Sequence, residues 1–138
     1  MRVTLPAGYR PTDSESFMNP RQQEYFRQKL MRWKEELLDE SNMTLQSLQE
    51  ESLAQPDLAD RATAETDRSL ELRTRDRFRK LIAKIDSALR RLDDGSYGYC
   101  EETDEPIPLK RLEARPTATL SVEAQERHER LERTKRDD

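Results

Sequence analysis

Between Pro20 and Gly95 the sequence contains no glycine and a single further proline, Pro56. Two long runs free of helix breakers therefore flank one interruption, Leu53-Ala-Gln-Pro-Asp-Leu-Ala-Asp-Arg-Ala62. Asn19 suits a helix N-cap and Pro20 the first helical position. From there to about Ser52, Phe26, Leu30, Trp33 and Leu37 recur at 4-3-4 spacing, and Leu38, Leu45 and Leu48 continue a looser stripe. This predicts an amphipathic helix roughly 45–50 Å long. From about Asp60 to Asp93, Leu81, Ile85, Ala88 and Leu92 repeat the 4-3-4 pattern, Phe78, Ile82 and Leu89 broaden it, and Leu70 and Leu72 extend it weakly. The strong halves of the two stripes lie farthest from the interruption. An antiparallel hairpin brings them together, with the interruption as its tip at 53–61.

Composition agrees with a narrow helical seam rather than a thick core. Charged residues make up 39% of the 138 residues and apolar ones 33%, and the mean hydropathy is -1.12. So polar a chain is either partly disordered or buries its few apolar side chains in a helix pair. Acids on the first run (Glu35, Glu36, Asp39, Glu40) face bases on the second (Arg77, Lys80, Lys84, Arg90), which favours pairing within one chain. The net charge of -4 argues against an autonomous, sequence-specific DNA binder. No apolar run is long enough to span a membrane, and no signal-peptide core follows Met1. A soluble cytoplasmic protein is expected. The single cysteine, Cys100, excludes an internal disulfide framework and a multi-cysteine metal site.

Residues 1–19 read as an N-terminal arm, mostly weakly ordered, in which Gly8-Tyr9 and Phe17-Met18 pack locally. Residues 20–94 form the hairpin. Gly95 suits the position just past a helix end, and 95–138 holds a compact proline-containing piece followed by a helix from Ser121 to about Lys135, with Val122 and Leu131 as its sparse apolar contacts. The expected fold is mainly α: a long antiparallel two-helix coiled-coil hairpin plus a small globular part. Asp57 and Asp60, taken by spacing alone, suit capping of the helix that follows them. His128 reads as a surface residue, Trp33 as core, and Cys100 as a leftover rather than a redox sensor.

Five segments carry a more specific signal: Pro56-Asp57-Leu58-Ala59-Asp60-Arg61-Ala62, Ser69-Leu70-Glu71-Leu72-Arg73, Arg75-Asp76-Arg77, Tyr97-Gly98-Tyr99-Cys100 and Arg111-Leu112-Glu113-Ala114-Arg115-Pro116-Thr117-Ala118. In order and spacing they resemble the DksA/TraR family of RNA polymerase accessory factors. The resemblance implies a non-enzymatic factor whose coiled-coil tip enters the secondary channel of RNA polymerase and modulates initiation at ribosomal RNA and amino-acid promoters, together with ppGpp in the stringent response. It assigns Asp57, Asp60 and Ala62 to the tip, Arg77 to polymerase contact, and Leu81, Lys84 and Arg115 to a ppGpp site shared with the polymerase. A further family lysine is matched by Gln125, which implies a weaker ppGpp response. The four zinc cysteines of most members are matched by Cys100, Thr103, Ser121 and Ala124. Three of these are not thiols, so the expectation is a zinc-less variant in which Ile107, Pro108, Leu109, Leu112 and Leu120 form an apolar plug. A monomer is expected. The alternatives are a structural coiled-coil protein that dimerises through its seam, and a transcript-cleavage factor whose tip carboxylates hold Mg²⁺.

Overall fold

The structure is a computed structural model that describes residues 3–54 and 61–137. It is mainly helical, with four helices: α1 (Pro20–Ala54), α2 (Arg61–Asp94), α3 (Leu109–Ala114) and α4 (Val122–Asp137). The tip residues Asp57 and Asp60, and the side chain of Ala62, lie outside the described residues. Among those described, the only extended pairing is an isolated antiparallel bridge between Tyr99 and Pro106, and no helix is long and apolar enough to cross a membrane. The chain divides into two compact units, one of Met1–Leu30 with Ser87–Asp138, the other of Met31–Asp86.

The ends of the long helices form as their sequences dictate. Asn19 Oδ1 accepts the N–H groups of Arg21 and Gln22 at 2.9 and 3.0 Å, which satisfies two donors that the first helical turn leaves open. At the far end of α2, Gly95 adopts φ 84°, and the N–H of Ser96 reaches back to the Arg91 carbonyl at 3.0 Å. This is the six-residue closure that a left-handed residue after the helix permits.

In the second unit the helices pair antiparallel. Lys34 Nζ meets Asp86 Oδ1 at 2.8 Å, and the Gln49 side chain hydrogen-bonds Glu71. Each pair sums to residue number 120, so the register is kept over fifteen residues of α1. Leu37, Phe78 and Ile85 are buried in this unit. The expected stripe narrows outside them: Trp33, Leu45, Leu48, Leu81 and Ile82 are half-buried, and Leu38, Leu70 and Leu72 are exposed. Trp33 is thus not a core residue. Two helices can cover one face of each other only, and an indole is too large to fit wholly beneath that cover. The expected charge complementarity also changes form. The Lys34–Asp86 pair puts the base on α1 and the acid on α2, while several α2 bases are tied to acids of their own helix, as in Arg75–Glu71, Arg79–Asp76 and Lys80–Asp76.

The first unit has its own core of Phe26, Leu30, Ala88, Leu92, Tyr97, Cys100, Ile107, Leu109, Leu112, Ala118 and Ala124. The N-terminal arm is folded onto it, through the Tyr9 and Phe17-Met18 positions expected to pack locally and also through Thr12 and Glu15, in the part expected to be weakly ordered. Met18 is buried, and the wholly buried Gln22 side chain accepts the Met18 N–H at 2.7 Å and donates to the Thr12 carbonyl at 3.3 Å. Tyr9 Oη donates to Glu15 at 2.7 Å, and the Phe17 and Tyr99 rings meet edge-on at 5.4 Å. The expected plug forms in part: Ile107, Leu109 and Leu112 are buried, Leu120 is half-buried, and Pro108 points to solvent. On α4 the expected anchors Val122 and Leu131 are exposed, and Ala124 takes their place in the core. Beyond Gln125 the described side chains of α4 are all exposed.

Candidate functional site

Two clusters carry the chemistry anticipated from the sequence. The first is a face of α2 in the second unit. Residues three and four apart lie on one side of a helix, so Arg73, Arg77, Lys80, Leu81 and Lys84 line a common groove, together with Arg68 nearer the start of the helix. Its open volume is about 720 Å³. Among its lining residues five cations face two acids, Glu65 and Asp76, and Asp76 is engaged by Arg79 and Lys80 at 2.6 and 2.9 Å. These bonds hold the Asp76 carboxyl below its usual range, Lys80 contributing most. A protein of net charge -4 therefore concentrates positive charge on one helix face. That arrangement suits phosphate or carboxylate groups on a partner. Arg77 and Lys84 are exposed and Leu81 is half-buried at the edge of the seam, so the groove holds three of the residues singled out from the sequence.

Arg115 belongs to the first unit. It ends α3, where its N–H donates to the Arg111 carbonyl at 2.7 Å, and it is exposed. Gln125 is half-buried on α4 and donates to Glu129 one turn on at 3.3 Å. His128 is exposed and contacts Glu102, to which Arg127 also reaches at 3.8 Å.

The second cluster is formed by Cys100, Thr103, Ser121 and Ala124, all in the first unit. A short turn fixes the first pair: the Cys100 N–H donates to the Glu105 carbonyl at 2.8 Å, the Asp104 N–H returns to the Cys100 carbonyl at 2.9 Å, and Ile107 N–H bonds Gly98 O at 2.7 Å. Asp104 takes φ 60° in that turn, a left-handed conformation that Asp tolerates better than most residues. The Glu101 N–H donates to Thr119 O at 2.9 Å, which ties the turn to the segment ahead of Ser121. Tyr97 Oη donating to Pro116 O at 2.7 Å and Arg111 Nε donating to Leu120 O at 2.9 Å hold that segment from behind. Ser121 caps α4, its Oγ accepting the Ala124 N–H at 3.2 Å and its carbonyl accepting the Gln125 N–H at 2.9 Å.

Cys100 Sγ lies 3.8 Å from Ser121 Oγ. Burial pushes the thiol up and is the largest influence on it, but the Thr103 hydroxyl and the backbone N–H groups of Ser121, Thr103 and Glu102 together outweigh it, leaving the group at about 6. Cys100 as a residue is 1% exposed. Cys100 is a buried free cysteine on whose sulfur these donors converge. Sequence reasoning missed the capping role of Ser121, although a serine directly before a helical run is a recognisable start signal.

Residues 22–92 match the family described as DnaK suppressor protein DksA, N-terminal domain, and residues 95–130 match the prokaryotic dksA/traR C4-type zinc finger. The RNA polymerase-binding transcription factor DksA of Caulobacter vibrioides (strain NA1000 / CB15N) is 72% identical over 130 residues, 94% of this chain and 92% of that one. The factor of the same name from Escherichia coli (strain K12) is 44% identical over 115 residues, 83% and 76% of the two chains. Among solved structures, transcription factor DksA2 from Pseudomonas aeruginosa matches with a TM-score of 0.74 and 47% identity, covering 85% of this chain and 90% of that one. The second family match spans Cys100, Thr103, Ser121 and Ala124, so the turn around Cys100 and the start of α4 are kin to a zinc finger. The chain belongs to the DksA/TraR family.

Proposed function

We propose that this chain is an RNA polymerase-binding transcription factor. The observation that carries the reading is the 72% identity over 94% of the chain to a relative named for that activity. We read the action as insertion of the coiled-coil tip, with Asp57, Asp60 and Ala62, into the secondary channel of the enzyme. Arg77 would contact the polymerase, and Leu81, Lys84 and Arg115 would help hold ppGpp against it. The basic groove on α2 supports the first assignment, because it gathers Arg77 and Lys84 where an acidic or phosphate-bearing partner could meet them. In this reading the protein is cytoplasmic and monomeric, makes no sequence-specific DNA contact and catalyses no reaction.

We also propose that it holds no zinc. Kinship to the C4-type zinc finger is established, yet the donor set is one thiol, two hydroxyls and one methyl. A closed structural zinc site requires four nitrogen or sulfur ligands, and this set does not fit it.

In vitro transcription from a ribosomal RNA promoter, with and without ppGpp, tests the main reading. The wild type should change transcript yield. Asp57→Asn and Asp60→Asn should keep polymerase affinity while losing regulation. Equal loss of binding and regulation in these variants would count against a direct role for the tip.

A further inference from the structure

The helix α3, Leu109–Ala114, is too short to hold its own shape and direction, so it is oriented by what touches it. Leu109 and Leu112 anchor its apolar side in the core. One carboxylate anchors its polar side. Glu113 Oε2 accepts the Tyr25 hydroxyl at 3.0 Å and the Lys29 ammonium at 2.7 Å, two groups one turn apart on α1. All three side chains belong to residues that are half-buried in the first unit, where a hydrogen bond to a charged group counts for more than at an open surface. Tyr25 is itself placed by its neighbours. The Tyr9 and Phe26 rings meet it edge-on at 6.2 and 5.2 Å, and Lys29 Nζ lies 5.8 Å from its ring centroid. Tyr9 belongs to the N-terminal arm, so the arm braces this clamp.

Two residues beyond Glu113, Arg115 is exposed, and among the described residues no hydrogen bond or ion pair engages its guanidinium. The backbone around it is nevertheless fixed. Its N–H donates to the Arg111 carbonyl at 2.7 Å, and its own carbonyl accepts the Ala118 N–H at 3.0 Å. The Pro116 carbonyl accepts the hydroxyl of the buried Tyr97 at 2.7 Å. A free cation on a fixed backbone has little left to order when an anion arrives. We propose that Glu113, clamped by Tyr25 and Lys29, is a positioning residue that aims Arg115 at a phosphate-bearing effector. The inference rests on the assignment of Arg115 to ppGpp above. Glu113 does not itself meet the effector, since its carboxylate repels phosphate and its oxygen is turned to α1. Without the clamp, Leu109 and Leu112 still hold α3 in the core, but its last turn is free to rotate. Arg115 then stays charged and exposed but is poorly aimed.

The test titrates ppGpp into transcription from a ribosomal RNA promoter by RNA polymerase and the full-length factor. The variants are Glu113→Gln, Tyr25→Phe, Arg115→Ala and the double variant Glu113→Gln/Arg115→Ala. Glu113→Gln keeps the shape of the side chain and removes its charge, and Tyr25→Phe keeps the ring and removes its donor. Both should raise the half-maximal ppGpp concentration about threefold or more, the scale of coupling between residues in contact. Both should leave ppGpp-free transcription and affinity for the polymerase unchanged. Arg115→Ala should raise the concentration at least as far, and adding Glu113→Gln to it should change nothing more, because the clamp acts through the guanidinium. A purely structural role would lower ppGpp-free and ppGpp-dependent regulation together, in step with Tm, or would add its loss to that of Arg115→Ala. Either result overturns the inference. An unchanged half-maximal concentration in both clamp variants, with a raised one in Arg115→Ala, overturns the clamp alone and leaves the ppGpp assignment standing. An unchanged one in Arg115→Ala overturns that assignment and the inference with it. If circular dichroism shows Glu113→Gln to be unfolded, Tyr25→Phe and its double variant with Arg115→Ala decide the same question.

Discussion

Gly98 shows how tightly single residues are specified in the first unit. Its φ is 89°, and a Cβ placed on it would lie 2.8 Å from Met18 Cε and 3.2 Å from the Phe17 ring. Gly95 has a similar φ of 84° but nothing within 4 Å of such a Cβ. The pair separates backbone strain from crowding. Gly95→Ala should cost about 1–2 kcal/mol, the left-handed penalty alone, whereas Gly98→Ala should cost that and about 1 kcal/mol more, since the Met18 methyl end can swing aside but the Phe17 ring must also give by a few tenths of an ångström. Urea unfolding of both variants measures the difference, and equal losses would mean that the arm is not packed there. Glu15 provides a pH test of the same arm. Its carboxyl is held below the usual range chiefly by the Tyr9 hydroxyl; burial, the next largest influence, opposes this, and Thr12 and Asn19 add further lowering hydrogen bonds. A lowered folded pKa contributes stability that is present above the unfolded value and is lost as pH falls through the folded one. Stability should therefore decline as pH drops below the ordinary carboxylate range, and Tyr9→Phe should flatten that decline. Little of this was legible beforehand. Asn19, Pro20 and Gly95 could be read because helix ends have residue-specific chemistry. The arm could be read only at Tyr9 and Phe17-Met18, since the rest is held by isolated side-chain bonds from Glu15 and Gln22 that leave no periodic trace in the sequence.

At the scale of elements, hydrophobic period and burial agree only where a stripe is matched by its partner. Phe26, Leu30, Ile85 and Ala88 are wholly buried, as their 4-3-4 spacing indicates. Leu38, Leu70 and Leu72 continue the same stripes, yet they are 44%, 43% and 61% exposed. A periodic pattern states which face is apolar, but a single partner helix covers only the middle of that face. Ile85→Ala should thus cost about 2–5 kcal/mol through transfer and cavity terms, while Leu72→Ala should stay within about 0.5 kcal/mol. Thermal unfolding distinguishes them, and a large loss at Leu72 would indicate a covering contact that these helices do not supply. The Lys34–Asp86 pair fixes register more than stability. Both side chains are about one-third exposed, where an ion pair contributes about 0.2–1 kcal/mol. The short helix α3 and the cap of α4 were the least legible elements. Leu109–Ala114 is too brief to show a period, and the approach of the Ser121 hydroxyl to the Cys100 sulfur at 3.8 Å could be read only from its neighbours in space.

For the molecule as a whole, the proposed reading joins the tip, the α2 groove and the C-terminal helix in the response to ppGpp, and position 125 is where the sequence departs from what the family resemblance leads one to expect there. Gln125 stands where the family resemblance leads one to expect a lysine, and on α4 it donates to Glu129 one turn away. A lysine at 125 could make the same contact to Glu129 with the same (i, i+4) spacing, so Gln125→Lys should leave Tm nearly unchanged. What it adds is the cation that the family resemblance assigns to the effector. A charge-assisted hydrogen bond contributes about 1.5–3 kcal/mol, so the ppGpp concentration that gives half-maximal effect in transcription with this factor should fall on the order of tenfold. Arg115→Ala should move it the other way. Both variants should behave like wild type when ppGpp is omitted, because their effect passes through the effector alone. If Gln125→Lys changes ppGpp-free transcription as much as ppGpp-dependent transcription, position 125 acts on polymerase docking. In that case the assignment of Leu81, Lys84 and Arg115 to the effector loses its closest point of comparison.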